Sequence, residues 1–263
     1  MKIAIIVPAF KAARYIEEAL LSIERQNIPK GTKLKTIVIC DGCEETFEAA
    51  KRFGSLDTYI CLTENLGTYK ARNLGIALCS LDSDLFINLD ADDIWHPNRV
   101  SEVVGMARHR LDSLSAFTCF MNRIDEEGKE IRSLPHRECP SGAYAYTGTT
   151  VKTIGMYRPW WCGSDNEYRA RFYAVGGRLY SSRRLLLSYR KHPTQLTSHP
   201  DTLRGTKERD FSYDEIARLA KTNYQTHFQN HPRQKVFKEA GTSPSYKDTY
   251  QAYFDSRPLT VGD

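Results

Sequence analysis

The sequence predicts an α/β fold with a mostly parallel central sheet, flanking helices and a C-terminal extension. Five apolar runs have the length of β-strands: residues 3–7, 34–40, 58–62, 85–89 and 116–121. Four segments between them have the period of amphipathic helices: residues 15–25, 46–53, 68–78 and 97–110. This alternation is typical of βαβ units, whose strands run parallel. A chain of 263 residues is long enough for one large core of this kind and requires no second one.

The second half of the chain is less regular. Residues 122–148 combine Gly, Pro and mixed charges, which predicts hairpins and a mobile loop. Beyond them we expect a short helix over residues 165–175, one or two strands over 178–189 and a C-terminal helix over 213–227. The last thirty or so residues indicate an extension that wraps the core or a loose tail.

Composition narrows the class of protein. No apolar run approaches the roughly twenty residues of a membrane helix. The apolar run at residues 2–8 is too short for a signal peptide and fits a buried first strand better. Seven cysteines without zinc-type spacing indicate reduced thiols in the cytoplasm. The net charge of +5 would attract a diphosphate, an anionic membrane surface or a nucleic acid, although a solvated basic face explains it equally well.

Three carboxylates follow the apolar run at residues 85–89: Asp90, Asp92 and Asp93. On an extended strand end, Asp90 and Asp92 share a face, so both could meet one hard divalent cation through oxygen. The alternative is an acidic turn that caps the helix beginning near Pro97.

Other polar residues also fall at strand ends. Pro8, Ala9 and Phe10 end the first strand, and Asp41 ends the second. Since ligands gather beyond the carboxyl ends of parallel strands, these loops should converge on one site. Arg72 lies in a helix whose positive end suits phosphate, although it could instead, or in addition, brace Asp41 or Asp92 in an ion pair.

Four segments in a fixed order carry a resemblance to glycosyltransferase family 2. They are residues 3–10 (IAIIVPAF) with 15–23 (YIEEALLSI), 36–42 (TIVICDG), 65–67 (NLG) with 71–75 (ARNLG), and 89–93 (LDADD). A weaker similarity continues through residues 163–165 (GSD) and 189–192 (YRKH). The resemblance implies a Rossmann-like A-type glycosyltransferase fold. Residues 1–121 would then form the nucleotide-sugar-binding half of the catalytic domain, 122–212 its acceptor-binding half, and 213–263 a C-terminal helix and tail.

The resemblance also implies a donor site and a metal site. Asp92 would bind Mn²⁺ or Mg²⁺ directly through its D-x-D motif, joined by His192, which could equally be a surface histidine before Pro193. Asp41 would hold the base of the donor, typically uracil, or else form an Asx turn before Gly42. The family's preceding Asp is Cys40 here and its following Ser is Cys43, which weakens the preference for UDP. The full set of residues implied for donor binding is Pro8, Ala9, Phe10, Asp41, Asn65, Arg72, Asp90 and Ala91.

The acceptor side needs a general base. The resemblance implies Asp165, with Glu167 as the competing carboxylate, and an inverting reaction. Helix N-capping is the alternative for Asp165. Trp160 and Trp161 would contact the acceptor as aromatic platforms, or would be ordinary core residues.

The acceptor itself we expect to be a saccharide or lipid-linked glycan, reached by a cytoplasmic enzyme that can lie at an anionic membrane surface. One alternative is a hydroxymethylated base of DNA, which must leave the stack to react. Basic residues would then bind phosphates: Arg183, Arg184, Arg190, Lys191, Arg204, Lys207 and Arg209. The second alternative is a non-catalytic nucleotide- or glycan-binding relative. A nucleotidyltransferase would normally carry a Gly-rich phosphate loop near the N-terminus, and residues 8–13 contain no Gly.

Overall fold

The computed structural model describes residues 1–53, 57–79, 83–196 and the single positions 198, 210, 214 and 216. Nine strands are formed in this part of the chain: β1 (Lys2–Ala9), β2 (Lys33–Cys40), β3 (Thr58–Cys61), β4 (Leu85–Asn88), β5 (Ile94–Trp95), β6 (Ser115–Ile124), β7 (Arg137–Glu138), β8 (Ala145–Thr147) and β9 (Arg178–Arg190). Six α-helices accompany them: α1 (Ile16–Glu24), α2 (Glu44–Lys51), α3 (Thr68–Leu78), α4 (Arg99–Ala107), α5 (Gly148–Ile154) and α6 (Ser164–Ala174). No helix among the described residues is long and apolar enough to cross a membrane.

The strands form one sheet in the order β3-β2-β1-β4-β8-β6-β9-β5, with β7 paired to β6. Strands β1 to β4 run parallel, as predicted. Beyond β4 the sheet is mixed, because β8 is antiparallel to both of its neighbours while β6 and β9 are parallel. The predicted α/β class is therefore confirmed, with its parallel part in the first half of the chain.

Helices cover both faces of the sheet because the central strands are apolar on both sides. Along β1, Ile3, Ile5 and Val7 face a core shared with α1, α2 and α4. The alternate residues Ala4 and Ile6 face a second core shared with α3, α5 and α6. Since successive side chains of a strand point to opposite faces, one apolar run supplies both cores.

Parallel pairing brings the carboxyl ends of three strands to one edge. Ala9 lies beside Cys40 in the β1·β2 register, and Ile6 lies beside Asn88 in the β1·β4 register. The loops that carry Asp41 and Asp90 therefore leave the sheet at the same edge. We call the space beyond this edge the cleft.

Residues 122–148 are more ordered than predicted. This segment contains β7, a 3₁₀ turn at Ser141–Ala143 and the buried strand β8. Strand β5 and helix α5 were also not predicted. The predicted helix over residues 213–227 and the tail lie outside the described residues, apart from the single positions 214 and 216.

Candidate active site

The three carboxylates after β4 have three different partners. Asp90 forms an ion pair with Arg72. The Asp92 carboxylate lies 2.9 Å from Nε2 of His192. Asp93 is buried, where its carboxylate accepts a hydrogen bond of 2.9 Å from the backbone N–H of Arg190. Burial, and then the charges of Asp92 and Asp90, raise the pKa of Asp93 well above its usual range. Asp90 and Asp92 thus lie at the cleft, whereas the buried Asp93 binds the backbone of β9.

Arg190 is the residue that joins β9 to this acidic loop. Its side chain is buried, and its Nε donates 2.9 Å to the carbonyl oxygen of Asp92. Nη1 donates to the carbonyl oxygens of Asp125 and Glu126 at 3.2 and 2.8 Å, and Nη2 pairs with Glu18. The loop that follows β9 therefore begins at a fixed point beside Asp92.

His192 lies on that loop and faces the acidic cluster. Its Nδ1 is 2.9 Å from Oγ1 of Thr194, and its ring centroid is 5.0 Å from that of Tyr15. Within the described part of the chain, no group of three or more His, Cys, Asp or Glu side chains is placed to hold a metal ion. Mg²⁺ is commonly held by one or two protein ligands together with substrate phosphates and water. One carboxylate and one imidazole fit that partial role.

Arg72 is buried in α3, between Asp90 and two aromatic side chains. Its guanidinium carbon lies 5.5 Å from the ring centroid of Tyr69 and 5.8 Å from that of Tyr157. Burial by itself would lower the pKa of Arg72, but Asp90 together with Tyr157, Tyr69 and Asp165 outweighs this and raises it. The guanidinium therefore stays charged. Arg72 does pair with a carboxylate, but the partner is Asp90 and not the expected Asp41 or Asp92.

Asp41 is bound by the loop in front of α3. Its side chain is 2% exposed. One carboxylate oxygen accepts 2.7 Å from the backbone N–H of Leu66, and the other accepts 2.8 Å from that of Gly67. Burial raises the pKa of Asp41 to about 6 in spite of these two bonds. Gly67 can begin α3 here because its φ of 93° is open to glycine and strained for other residues.

Asp165 lies in the first turn of α6 and is half-buried. The Tyr69 hydroxyl donates 2.7 Å to its Oδ1, and the Ser141 hydroxyl donates 3.0 Å to its Oδ2. The helix begins at Ser164 with Gly163 at the N-cap, so Asp165 does not cap it. A carboxylate that accepts one hydrogen bond on each oxygen retains lone pairs for a further donor.

Glu167, the competing carboxylate, has a different environment. It is 0% exposed and pairs with Arg171 at 2.7 Å and with Arg158 at 3.6 Å. A fully buried ion pair of this kind is a structural element whose rupture leaves an uncompensated charge.

The aromatic residues at the cleft differ in exposure. Phe10, at the end of β1, is 42% exposed, and Trp161 is 44% exposed. The Trp161 ring lies over Gly67, where a side-chain carbon would be only 3.1 Å from it. Because the Gly67 N–H binds Asp41, this ring lies beside the loop that holds Asp41, and its role as an acceptor platform stays a prediction. Trp160 is half-buried.

The other residues predicted for donor binding lie along the same edge. Asn65 accepts 3.0 Å from the backbone N–H of Gly67 through its side-chain oxygen. Pro8, Ala9 and Ala91 are buried.

Sequence reasoning missed the residues that hold these side chains in place. Tyr69 precedes Arg72 by three positions, so helical spacing could have put it on the same face. Ser141 and Arg190 carried no such signal, since each meets its partner from a distant element. Asn73, which exchanges two hydrogen bonds of 2.8 and 2.9 Å with the backbone of Tyr157, was likewise not foreseen in that role.

Two of the basic residues named for the DNA alternative have protein partners, and Lys191 lies over the Tyr189 ring at 5.1 Å from its centroid. Arg190 is buried, as above, and Arg184 pairs with Glu102 at 3.1 Å. Arg183 is exposed. Arg204, Lys207 and Arg209 lie outside the described residues.

A family model described as glycosyl transferase family 2 matches residues 4–158. An uncharacterised glycosyltransferase of Rickettsia conorii is 30% identical over 134 residues, which are 49% of this chain and 21% of the relative. One of Haemophilus influenzae is 30% identical over 129 residues, 48% of this chain and 38% of the relative. The matched part is thus well under half of these relatives' own length.

Solved structures resemble the whole described fold. TarS 1-349 of S. aureus in complex with UDP covers 96% of this chain with a TM-score of 0.61 and 15% identity, the match spanning 75% of that chain. The same protein in complex with UDP-GlcNAc also covers 96% of this chain, with a TM-score of 0.65 and 15% identity over 73% of that chain. At this level of identity the likeness concerns the fold.

Proposed function

Because the chain belongs to glycosyltransferase family 2, we propose that it is an inverting, metal-dependent enzyme that moves a sugar from a UDP-linked donor to a hydroxyl group. The acceptor we propose is a saccharide or lipid-linked glycan. The family membership gives the general activity, while the donor base, the metal, the stereochemistry and the acceptor are the proposal.

The observation that carries it is the position of helix α3 between two carboxylates. From this one helix, Arg72 pairs with Asp90 and Tyr69 donates to Asp165. Asp90 follows β4 at the edge of the sheet that would bind the donor, and Asp165 lies in the first turn of α6. A donor held near Asp90 and a base at Asp165 are thus parts of one cleft, as sugar transfer requires.

On the donor side, Asp41 would accept a hydrogen bond from the uracil imide, since its oxygens retain lone pairs beyond the two used by Leu66 and Gly67. Phe10 and Trp161 are exposed aromatic rings that suit a flat base. Both TarS structures with bound nucleotide support a uridine donor.

The diphosphate would lie beside Asp92 and His192. Mn²⁺ or Mg²⁺ held there would act as a Lewis acid on the leaving diphosphate. Asp92 and His192 keep their side chains at 2.9 Å from each other, and Arg190 holds the backbone of both segments. The buried Arg72 guanidinium is charged and forms an ion pair with Asp90, two residues before Asp92. It would add positive potential near the leaving group.

In the transfer step, Asp165 accepts the proton of the acceptor hydroxyl. As that proton leaves, the acceptor oxygen forms its bond to the anomeric carbon. The bond from this carbon to the diphosphate breaks, and its electron pair stays on the diphosphate oxygen. Because the base and the leaving group act from opposite faces of the sugar, a single displacement inverts the anomeric configuration.

Asp165 is a better base than Glu167 in this fold. Asp165 is half-buried at the cleft and bound only by neutral hydroxyls. Glu167 is buried and paired with two arginines, which removes its access to an acceptor hydroxyl. Glycan is favoured over DNA as the acceptor because Arg184 and Arg190 are committed to Glu102 and to the acidic loop.

The test is release of UDP from a panel of UDP-sugars, measured with Mn²⁺ or Mg²⁺ and with and without oligosaccharide, lipid-linked and hydroxymethylated-DNA acceptors. We expect acceptor-stimulated release that excess chelator abolishes, with a product of inverted configuration. Full activity in chelator, a retained anomer, or transfer only to DNA would each overturn the corresponding part of the proposal.

A further inference from the structure

We propose that Tyr69 is a positioning residue that orients the Asp165 carboxylate for proton transfer, a role that rests on the proposed function. Tyr69 does not touch the reacting atoms in this scheme. It acts through Asp165, from an element that also carries the donor-side Arg72.

The contact itself is short and protected from water. The Tyr69 hydroxyl lies 2.7 Å from Oδ1 of Asp165, and the Tyr69 side chain is only 4% exposed. Burial, and then the negative charge of Asp165, raise the pKa of Tyr69 well above its usual range. The phenol therefore keeps its proton at physiological pH, so it can donate the hydrogen bond but cannot itself act as the base.

A second hydroxyl fixes the other oxygen of the carboxylate. Ser141 Oγ donates 3.0 Å to Oδ2 and lies 3.3 Å from the side-chain oxygen of Asn166. Two donors on two oxygens define both the position and the plane of a carboxylate. The lone pairs that remain on each oxygen then point in fixed directions, which is the condition for efficient general-base catalysis.

The ring of Tyr69 is itself held by its neighbours. It lies 5.8 Å from the Tyr157 ring and 5.5 Å from the Arg72 guanidinium, both measured to its centroid. Tyr157 is fixed in turn by hydrogen bonds of its backbone to Asn73. Tyr69 and Arg72 are three positions apart and share one face of α3. Helix α3 therefore fixes the position of the proposed base Asp165 relative to Asp90 on the proposed donor side.

A tyrosine with a purely structural role would also be buried and hydrogen-bonded. The two roles differ in what the loss of one oxygen atom changes. If Tyr69 positions the base, its hydroxyl controls the rate and the pH dependence of transfer. If it only supports the fold, the hydroxyl controls stability and leaves the chemistry of the folded enzyme unchanged.

Tyr69→Phe separates these possibilities in the full chain. We expect kcat to fall about tenfold, as on loss of other groups that orient a reacting side chain, with the KM for the UDP-sugar unchanged. The acid limb of the pH–rate profile should move to higher pH, because the carboxylate loses a donor that stabilises its charged form. Ser141→Ala should shift both quantities in the same direction by less, since its bond is longer.

Tyr146→Phe is the matched control. Tyr146 is also a buried tyrosine of this aromatic cluster, and its hydroxyl has no hydrogen-bond partner among the residues that the structure describes. We expect its rate and pH profile to match those of the unmodified chain. If Tyr69→Phe keeps kcat within twofold and the same pH profile, or if Tyr146→Phe reproduces its effects, the positioning role is excluded.

A spectroscopic measurement tests the contact without any reaction. In protein labelled at the carboxyl carbon of aspartate, the Asp165 signal should move in Tyr69→Phe and stay in place in Tyr146→Phe. A signal unchanged in Tyr69→Phe contradicts the proposal even if the chain proves to be a transferase. Failure of the unmodified chain to turn over any UDP-sugar would instead contradict the proposed function, and the labelled signal would still report on Tyr69.

Discussion

The two sides of the cleft hold their key carboxylates in different ways. On the donor side, both oxygens of Asp41 accept backbone N–H groups of the loop before α3. On the acceptor side, both oxygens of Asp165 accept side-chain hydroxyls that come from α3 and from the 3₁₀ turn. Asp41 is almost fully buried, whereas Asp165 is half-buried.

This difference determines which carboxylate suits recognition of a ligand and which suits acceptance of a proton. Backbone amides are fixed by the fold, so a carboxylate clamped on them is a rigid acceptor suited to recognition. Hydroxyls are neutral donors that orient a carboxylate without neutralising it, which leaves a charge free to take a proton. Glu167 marks the other extreme, because two arginines bind it and no chemistry is left.

The largest expected effect comes from removing the proposed metal ligand. Asp92→Ala should reduce transfer below detection in saturating Mn²⁺, because one of the two protein ligands is lost and the diphosphate is no longer neutralised. The fold should persist, since this side chain is partly exposed and its hydrogen bond goes to His192. Circular dichroism and a transfer assay check the two halves of the statement, with the exposed Asp112→Ala as control. Wild-type turnover by Asp92→Ala would break the donor side of the comparison.

Asp165→Asn should separate binding from chemistry. The amide keeps the size of the side chain and one acceptor oxygen but cannot take a proton, so kcat should fall a hundredfold or more, about the usual contribution of a general base. Calorimetry should show UDP-sugar affinity within about twofold of the unmodified chain, because Asp165 does not contact the proposed donor residues. Undiminished turnover would show that the base lies elsewhere.

Glu167→Gln is the matched test of the neighbouring carboxylate, and it should affect stability. Removing one charge from a buried ion pair leaves Arg171 uncompensated and costs about 3 kcal/mol. We expect the melting temperature to fall by roughly 10 °C, while kcat per folded molecule stays close to that of the unmodified chain. The exposed Glu17→Gln should change neither quantity. If Glu167→Gln loses turnover and Asp165→Asn does not, the base moves two residues along the chain.

The same contrast explains what the sequence could predict. The proposed donor side depends on strand ends. Asp41 and Asp90 directly follow the predicted strands at residues 34–40 and 85–89. Parallel pairing of β1, β2 and β4 then brings them together without further information. Local hydrophobic period was therefore enough to anticipate this half of the site.

The proposed acceptor side depends on contacts between distant elements. Tyr69 and Asp165 are 96 positions apart. Strand β8 has only three residues inside a segment of weak pattern, so its antiparallel insertion between β4 and β6 had no local signal. The resemblance pointed to Asp165, Asp92 and His192, but the two hydroxyl partners of Asp165 follow from tertiary packing alone.

The pH dependence of donor binding sharpens the role of Asp41. Burial raises its pKa to about 6, so the carboxylate is mostly charged at pH 7 and mostly protonated at pH 5. A protonated Asp41 is a weaker acceptor for the uracil imide, so UDP-sugar affinity should fall about tenfold from pH 7 to pH 5. Calorimetry in chelator checks this, since it removes any contribution of metal binding at His192. Affinity that is flat over this range would mean that Asp41 only clamps the loop before α3.

The smallest effect concerns Trp161, whose substitution distinguishes a contact with the donor from a contact with the acceptor. Its ring lies over Gly67, whose N–H is bound by Asp41, and nearly half of it is exposed. Trp161→Ala should therefore weaken UDP-sugar binding about fivefold, the usual scale of one aromatic contact, and should leave the acceptor KM unchanged. Stability should also fall, because more than half of this large residue is buried, so affinity is compared per folded molecule. A raised acceptor KM with unchanged donor affinity would return Trp161 to the acceptor side and place the boundary between the two halves closer to Asp41.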